Sequence, residues 1–288
     1  MSGLAPPGYA PSTGTEPSPR DRRRTRRLLV ASVVWAVLLA ALTWYSVRTD
    51  PPTVREQRSL SDAGPVVDRA IGELAGAIGG DSVLALTPPE VERGCRVTPL
   101  SDGGILLRGV TVVVPAGEER TLLERVSGRL PADWRAGVRV TAEGPRLRAD
   151  AGEFVTVEGE VEREGRVRFT ADTGCRPLGD PYVEPAIGAG SGPDVDALVA
   201  ALRAVGHPDQ PVGDHDRAAC PDGGVARTVR ADPVPAPPAL GAALAPLSGG
   251  VPVVDNPEVY AYRTGPVSVI ADQTDGEVRL SATLPCTP

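Results

Sequence analysis

Val167-Arg168-Phe169-Thr170-Ala171-Asp172-Thr173-Gly174-Cys175, in the middle of the chain, has a counterpart near its end. That counterpart is Val278-Arg279-Leu280-Ser281-Ala282-Thr283-Leu284-Pro285-Cys286. Val, Arg, Ala and Cys recur at fixed offsets, while Phe/Leu and Thr/Ser are conservative exchanges. In both stretches apolar and polar residues alternate ahead of the cysteine, the period of a half-buried strand. Working outward, Val114-Pro115-Ala116 matches Val234-Pro235-Ala236, and each follows a Cys and a Gly-Gly pair. Further upstream, Val67, Ile71, Leu74 and Ile78 recur at helical spacing, as do Val195, Leu198, Val199 and Leu202. The order of these matches points to a duplicated α+β unit: helix, Cys-bearing strand, short helix, then antiparallel strands closing on a second Cys.

The short helix of the first unit is expected from about Glu118 to Leu130, with Leu123, Val126 and Leu130 on one face. Its counterpart carries Leu240, Leu244 and Leu247 after Pro237-Pro238, residues suited to a helix start. In the first terminal hairpin, Val161 opposite Val167 puts Glu160 across from Arg168 and Glu162 across from Arg166. The loop is then Arg163-Glu164-Gly165, with Gly165 in the left-handed position. In the second hairpin Asp275-Gly276 marks the turn, and Val267, Val269 and Ala271 face Val278, Leu280 and Ala282. Trp134 is expected to seal the junction between a short helix and a strand.

All four cysteines follow residue 94, and the repeat chooses among their three possible pairings. It joins Cys95 to Cys175 and Cys220 to Cys286, one bond per unit. No two cysteines are close in sequence, which disfavours a zinc site.

The N-terminus carries a different signal. Residues 1–27 read as a disordered tail ending in an arginine cluster that includes Arg22, Arg23, Arg24, Arg26 and Arg27. Residues 28–47 hold no charge over 20 positions, enough to span a hydrocarbon core as a helix. Trp44 and Tyr45 sit at the far end, where amphipathic rings favour the interface. Thr25-Arg26-Arg27-Leu28-Leu29 loosely resembles a twin-arginine export signal. The run is nevertheless longer than a secretory apolar core and no small-x-small site closes it, so the reading is an uncleaved anchor. The arginines place that flank on the cytoplasmic side of a plasma membrane and the remainder outside, where disulfides persist. Residues 48–62 become a tether, 63–175 the first unit, 176–193 a Gly/Pro-rich linker and 194–288 the second unit.

Composition narrows the function. The chain has 288 residues, 41% hydrophobic and 3% aromatic, so it is not wholly disordered. All 30 basic residues are Arg, a bias that suggests a GC-rich bacterial genome. Without Lys there is no Walker A loop, Schiff-base lysine or Ser-x-x-Lys acylase. The tail is net +4 (six Arg, two acids) and the rest net −11 (24 Arg, 35 acids), which suits anionic inner-leaflet lipid and argues against nucleic acid.

One group of residues carries the types needed for metal chemistry. His207, Asp209, Asp214, His215 and Asp216 occupy one short stretch, where imidazole and carboxylate suit Zn²⁺ and metal-activated water. Their spacing matches no familiar metal motif, and no cofactor is expected. Tyr260 and Tyr262 share a strand face, as an interface anchor for a partner or as cover for the sheet. The leading expectation is a non-enzymatic, membrane-anchored extracytoplasmic binding or scaffold protein of a bacterial envelope, with the bilayer and an envelope protein as partners. A tethered metal-dependent hydrolase using His207 and His215, or a sensor signalling through a cytoplasmic partner, are the alternatives.

Overall fold

In a computed structural model, residues 19–49, 58–79, 82–184 and 192–286 are described. Helix α1 (Pro19–Thr49) stands as a unit by itself. It contains Arg26–Ser46, 21 residues of mean hydropathy 2.1, and is the one described helix long and apolar enough to cross a membrane. The helix begins earlier than expected, so the arginine cluster has helical backbone; residues 1–18 lie outside the described set, as do 50–57 of the tether.

The residues from Arg58 to Cys286 form one compact unit in which helices pack on antiparallel sheets, an α+β arrangement. Helix α2 (Leu60–Ile78) opens with a capping box. Ser59 Oγ accepts from the Asp62 N–H, and the Asp62 carboxylate accepts from the Ser59 N–H. The helical apolar period then does its expected work: Val67, Ile71, Leu74 and Ile78 are all buried. Strands β1 (Val83–Thr98) and β2 (Ser101–Val113), helix α3 (Glu119–Arg129), and strands β3 (Gly137–Thr141), β4 (Gly144–Asp150), β5 (Thr156–Arg163) and β6 (Arg166–Asp172) follow. They make a six-stranded sheet ordered β1-β2-β6-β5-β4-β3. Leu122, Leu123 and Val126 of α3 enter its core, and Trp134, in a single 3-10 turn after α3, is buried there too.

Helix α4 (Pro193–Ala204), β7 (Val212–Ala219), β8 (Val225–Ala231), β9 (Val234–Pro235), α5 (Leu240–Leu244), β10 (Val254–Asp255), β11 (Val259–Thr264), β12 (Val267–Thr274) and β13 (Glu277–Leu284) complete the chain. Their sheet, read from β7, runs β7-β8-β13-β12-β11-β10, with β9 beside β13. This is the strand order of the first sheet. The Val-Pro-Ala matches fall two residues out of step: the Val114 N–H donates to the Gly165 carbonyl, but it is the Ala236 N–H that donates to that of Gly276, the glycines of the two hairpin turns, so Ala236 and not Val234 is the counterpart of Val114.

The β12–β13 hairpin has the expected register, with Val269 opposite Ala282 and Ala271 opposite Leu280. Asp275 and Gly276 both have positive φ, as a two-residue type I′ turn demands. The β5–β6 hairpin differs in one place. Val161 pairs with Val167 and Glu160 with Arg168, but a bulge at Glu162 brings Arg163 opposite Arg166. The loop is therefore Glu164-Gly165, and Glu162 turns to Arg168 at 3.4 Å. Asp272 of β12 explains the shift, because it forms ion pairs with both Arg163 and Arg166.

That contact belongs to a broader departure from two units strung on a linker: the sheets share a core. Val83, Ala85 and Val113 of the first sheet pack with Val259, Ala261 and Ile270 of the second. Strand β1 is an edge, yet two outward N–H groups in its buried first half are paired. Leu84 donates to Ser268 Oγ at 3.3 Å and Leu86 to Thr228 Oγ1 at 2.9 Å. Hydroxyls on the face of one sheet thus satisfy the edge of the other, where an orphaned donor would carry a desolvation cost. On the opposite flank α2 meets β7 so closely that a Cβ on Gly72 would lie 1.9 Å from the Ala219 carbonyl oxygen. Disulfides Cys95–Cys175 and Cys220–Cys286 are both formed.

Candidate functional site

The junction between the halves contains a cluster of buried charge. Gly64, Asp68, Gly72 and Gly76 recur every four residues and line one face of α2, so only Asp68 projects a side chain from that row. From β2, Arg108 reaches it with a fully buried side chain. The guanidinium donates to Asp68 Oδ1 at 2.5 Å, to Glu184 Oε1 at 3.0 Å and to the Arg217 carbonyl of β7 at 2.9 Å. Tyr182 donates its hydroxyl to the same Asp68 oxygen at 2.7 Å. Burial, reinforced by this bond to Asp68, pushes the Tyr182 phenol well above its usual range, so it stays a neutral donor. One cation thus ties α2, the segment before α4 and β7 together.

A cavity of about 680 Å³ opens beside this cluster, lined by Pro65, Arg69, Glu73, Tyr182, Ala218 and Pro221 among others. Burial raises the Glu73 carboxyl above the ordinary range. Two further concave regions lie on the polar side of the first sheet. A groove of about 820 Å³ separates it from the second sheet and is lined by Arg166, Arg168, Arg230 and Arg279 together with Glu90, Glu160 and Asp272. A cleft of about 690 Å³ lies over β3, β4 and β5, with Arg139, Arg146, Arg148, Glu158 and Phe154 in its wall.

The stretch expected to gather metal ligands is divided by secondary structure. His207 follows α4, with Nε2 3.2 Å from the Pro235 carbonyl oxygen, and Asp209 is exposed in the turn beyond it. Asp214, His215 and Asp216 belong to β7 instead of a loop, so His215 and Asp216 point to opposite faces. Asp216 is buried in an ion pair with Arg230. Among the described residues no group of three His, Cys, Asp or Glu side chains comes together to hold a metal ion.

Tyr260 and Tyr262 are each 1% exposed, with ring centroids 5.8 Å apart, and both belong to the core beneath α4 and α5. The Tyr260 hydroxyl meets Ser248 Oγ at 2.9 Å. They cover the sheet and are not presented as an anchor for an outside partner. Their strand is sandwiched, since Val259 and Ala261 on its other face pack against the first sheet. Of the residues expected to flank a membrane, Trp44 and Tyr45 are exposed at the end of α1. Arg26 and Arg27 lie at the start of its apolar window, while the side chains of Arg22, Arg23 and Arg24 are outside the described set.

Sequence reasoning passed over Asp68, Arg108 and Tyr182. A four-residue Gly/Asp period in α2 was the available signal, because three side-chain-free turns admit a close neighbour to the helix. Comparison of the chain with protein-family models, curated proteins and solved structures finds no match in any of the three.

Proposed function

We propose that this is a single-pass membrane protein whose disulfide-bonded body lies outside the cytoplasm and binds another component of a bacterial envelope without catalysing a reaction. The observation that carries the reading is α1: its 21-residue window holds no buried residue, and Leu28, Val33, Trp35 and Leu42 are more than half exposed. Such a surface is incompatible with water over that length and suits a hydrocarbon core. Arginines at the N-terminal end argue for a cytoplasmic N-terminus, and two disulfides with no free cysteine among the described residues argue for an oxidising compartment around the body. The body is further proposed to descend from a duplicated unit, on the strength of the shared strand order and the like-placed disulfides.

The test is crosslinking in intact cells, followed by purification of the full-length protein and mass spectrometry, in parallel with residues 58–288 exported without the anchor. Recovery of the same envelope component by the anchored form in replicate experiments supports the proposal. Recovery of none by either form contradicts it.

A further inference from the structure

The four outer strands of the two sheets are not alike. Hydroxyls of the second sheet satisfy the first half of β1, α2 packs against β7, and β10 is two residues long. β3, five residues long and largely exposed, presents an open edge, as does the exposed second half of β1 from Glu90 to Thr98. Thr141 and Gly144 flank a two-residue turn and so form a hydrogen-bonded pair, as do Arg139 with Arg146 and Gly137 with Arg148. Val138 and Val140 alternate with them, which directs their N–H and C=O groups away from β4 and into solvent. Two donors and two acceptors therefore stand ready for another extended segment.

Charge says what kind of segment. Across the polar side of the sheet one row of directly paired residues reads Arg168, Glu160, Arg146, Arg139. The signs alternate until the edge, where two arginines stand opposite each other. Glu160 lies 3.5 Å from Arg146 on its inner side, whereas Arg139 has no ion-pair partner among the described residues. The neighbouring row places Arg148 beside Gly137, whose missing side chain leaves that place open. Arg135, just before the strand, holds a left-handed conformation and lies 3.5 Å from Asp150, with its side chain 81% exposed. On the other side of β3, Val138 packs onto the core and Val140 is 66% exposed.

We infer that β3 is a docking edge for an extended segment of another protein that alternates acidic and apolar residues. Its carboxylates lie beside Arg139 and over the arginines of β4, and its apolar side chains continue the row begun by Val140. A second copy of β3 fits poorly, because pairing two such strands sets Arg139 near its own equivalent. The inference rests on the binding reading above and names the chemistry of its partner.

The test uses the full-length protein in detergent and two fluorescent seven-residue peptides, one alternating Val and Glu, the other Val and Lys. The Glu peptide is expected to bind, to slow hydrogen exchange at the Val138 and Val140 amides, and to weaken as salt is raised. Arg139→Glu should weaken it by about tenfold or more, each tenfold being 1.4 kcal/mol, and shift preference to the Lys peptide. Val140→Pro removes an outward donor without touching the β4 ladder and should abolish binding, with the thermal unfolding midpoint confirming the fold. Equal binding of both peptides overturns the inference, as does binding indifferent to both substitutions. Peptide-free dimers that Val140→Pro abolishes would overturn it in favour of a second copy. If neither peptide binds while crosslinking still recovers an envelope partner, the edge assignment fails and the binding reading stands.

Discussion

Replacing Arg108 with methionine removes the guanidinium at the junction while keeping most of the stem. The side chain is 0% exposed and its three acceptors sit on three separate segments: α2, the stretch before α4, and β7. Asp68, itself only 15% exposed, would keep a single donor, Tyr182. Deleting one partner of a buried ion pair typically costs about 3–5 kcal/mol, since the other charge stays desolvated. At roughly 2–4 °C per kcal/mol for a body of this size, the unfolding midpoint should fall by about 6–20 °C. The control is Arg120→Ala, which removes an exposed i,i+4 pair with Glu124 worth at most about 0.5 kcal/mol. Differential scanning calorimetry of both variants gives the comparison, and adding Asp68→Asn to Arg108→Met closes a double-mutant cycle. The double variant should lose less than the sum of the singles. An Arg108→Met protein no less stable than Arg120→Ala would refute the idea that this cluster holds the halves together.

Loss of the disulfides should be costly on chain entropy alone. With separations of 80 and 66 residues, removal of Cys95–Cys175 should cost about 4.5 kcal/mol and removal of Cys220–Cys286 about 4.3 kcal/mol, read from urea unfolding of Cys→Ser pairs. Non-reducing peptide mapping that joined Cys175 to Cys220 would contradict the pairing. Gly72→Ala should destabilise the body by several °C because its Cβ meets the Ala219 carbonyl; Gly128→Ala, with open space around it in α3, should be neutral or stabilising by up to about 1 kcal/mol. The side-chain and backbone hydrogen bonds of Ser59 depress the Asp62 carboxyl below its ordinary range, so its contribution is complete above the unfolded value near 3.9 and vanishes as pH falls through the folded one. The stability gap between the native chain and Asp62→Asn should therefore be constant near pH 7 and close progressively below about pH 4; a gap that widened in acid would contradict the capping box.

Local features were the legible ones. Alternation, helical period and turn dipeptides reach only a few residues along the chain, and they sufficed for α2, α3 and the Asp275-Gly276 turn, while the recurrence of those patterns along the chain chose both cysteine pairs. What escaped depended on partners far away in sequence. Ser268 and Thr228 look like ordinary outward residues of their strands until β1 lies across them. Asp272, 106 residues from Arg166, imposes the bulge that moved Glu162 out of its expected pair. Tyr260 and Tyr262 alternate as a one-sided strand would, yet β11 is covered on both faces because the second sheet packs on the first. Among the candidate site residues, His207 and His215 sit on different elements, one just past the end of α4 and the other within β7.

Whether α1 holds the body outside the cytoplasm is tested most directly by protease accessibility on intact spheroplasts, with one epitope on the N-terminus and one on the C-terminus. The protein should sediment with membranes, lose its C-terminal epitope to added protease, and keep the N-terminal epitope until the membrane is broken. A C-terminal epitope protected until lysis, or a body found soluble with α1 removed, would contradict the proposal.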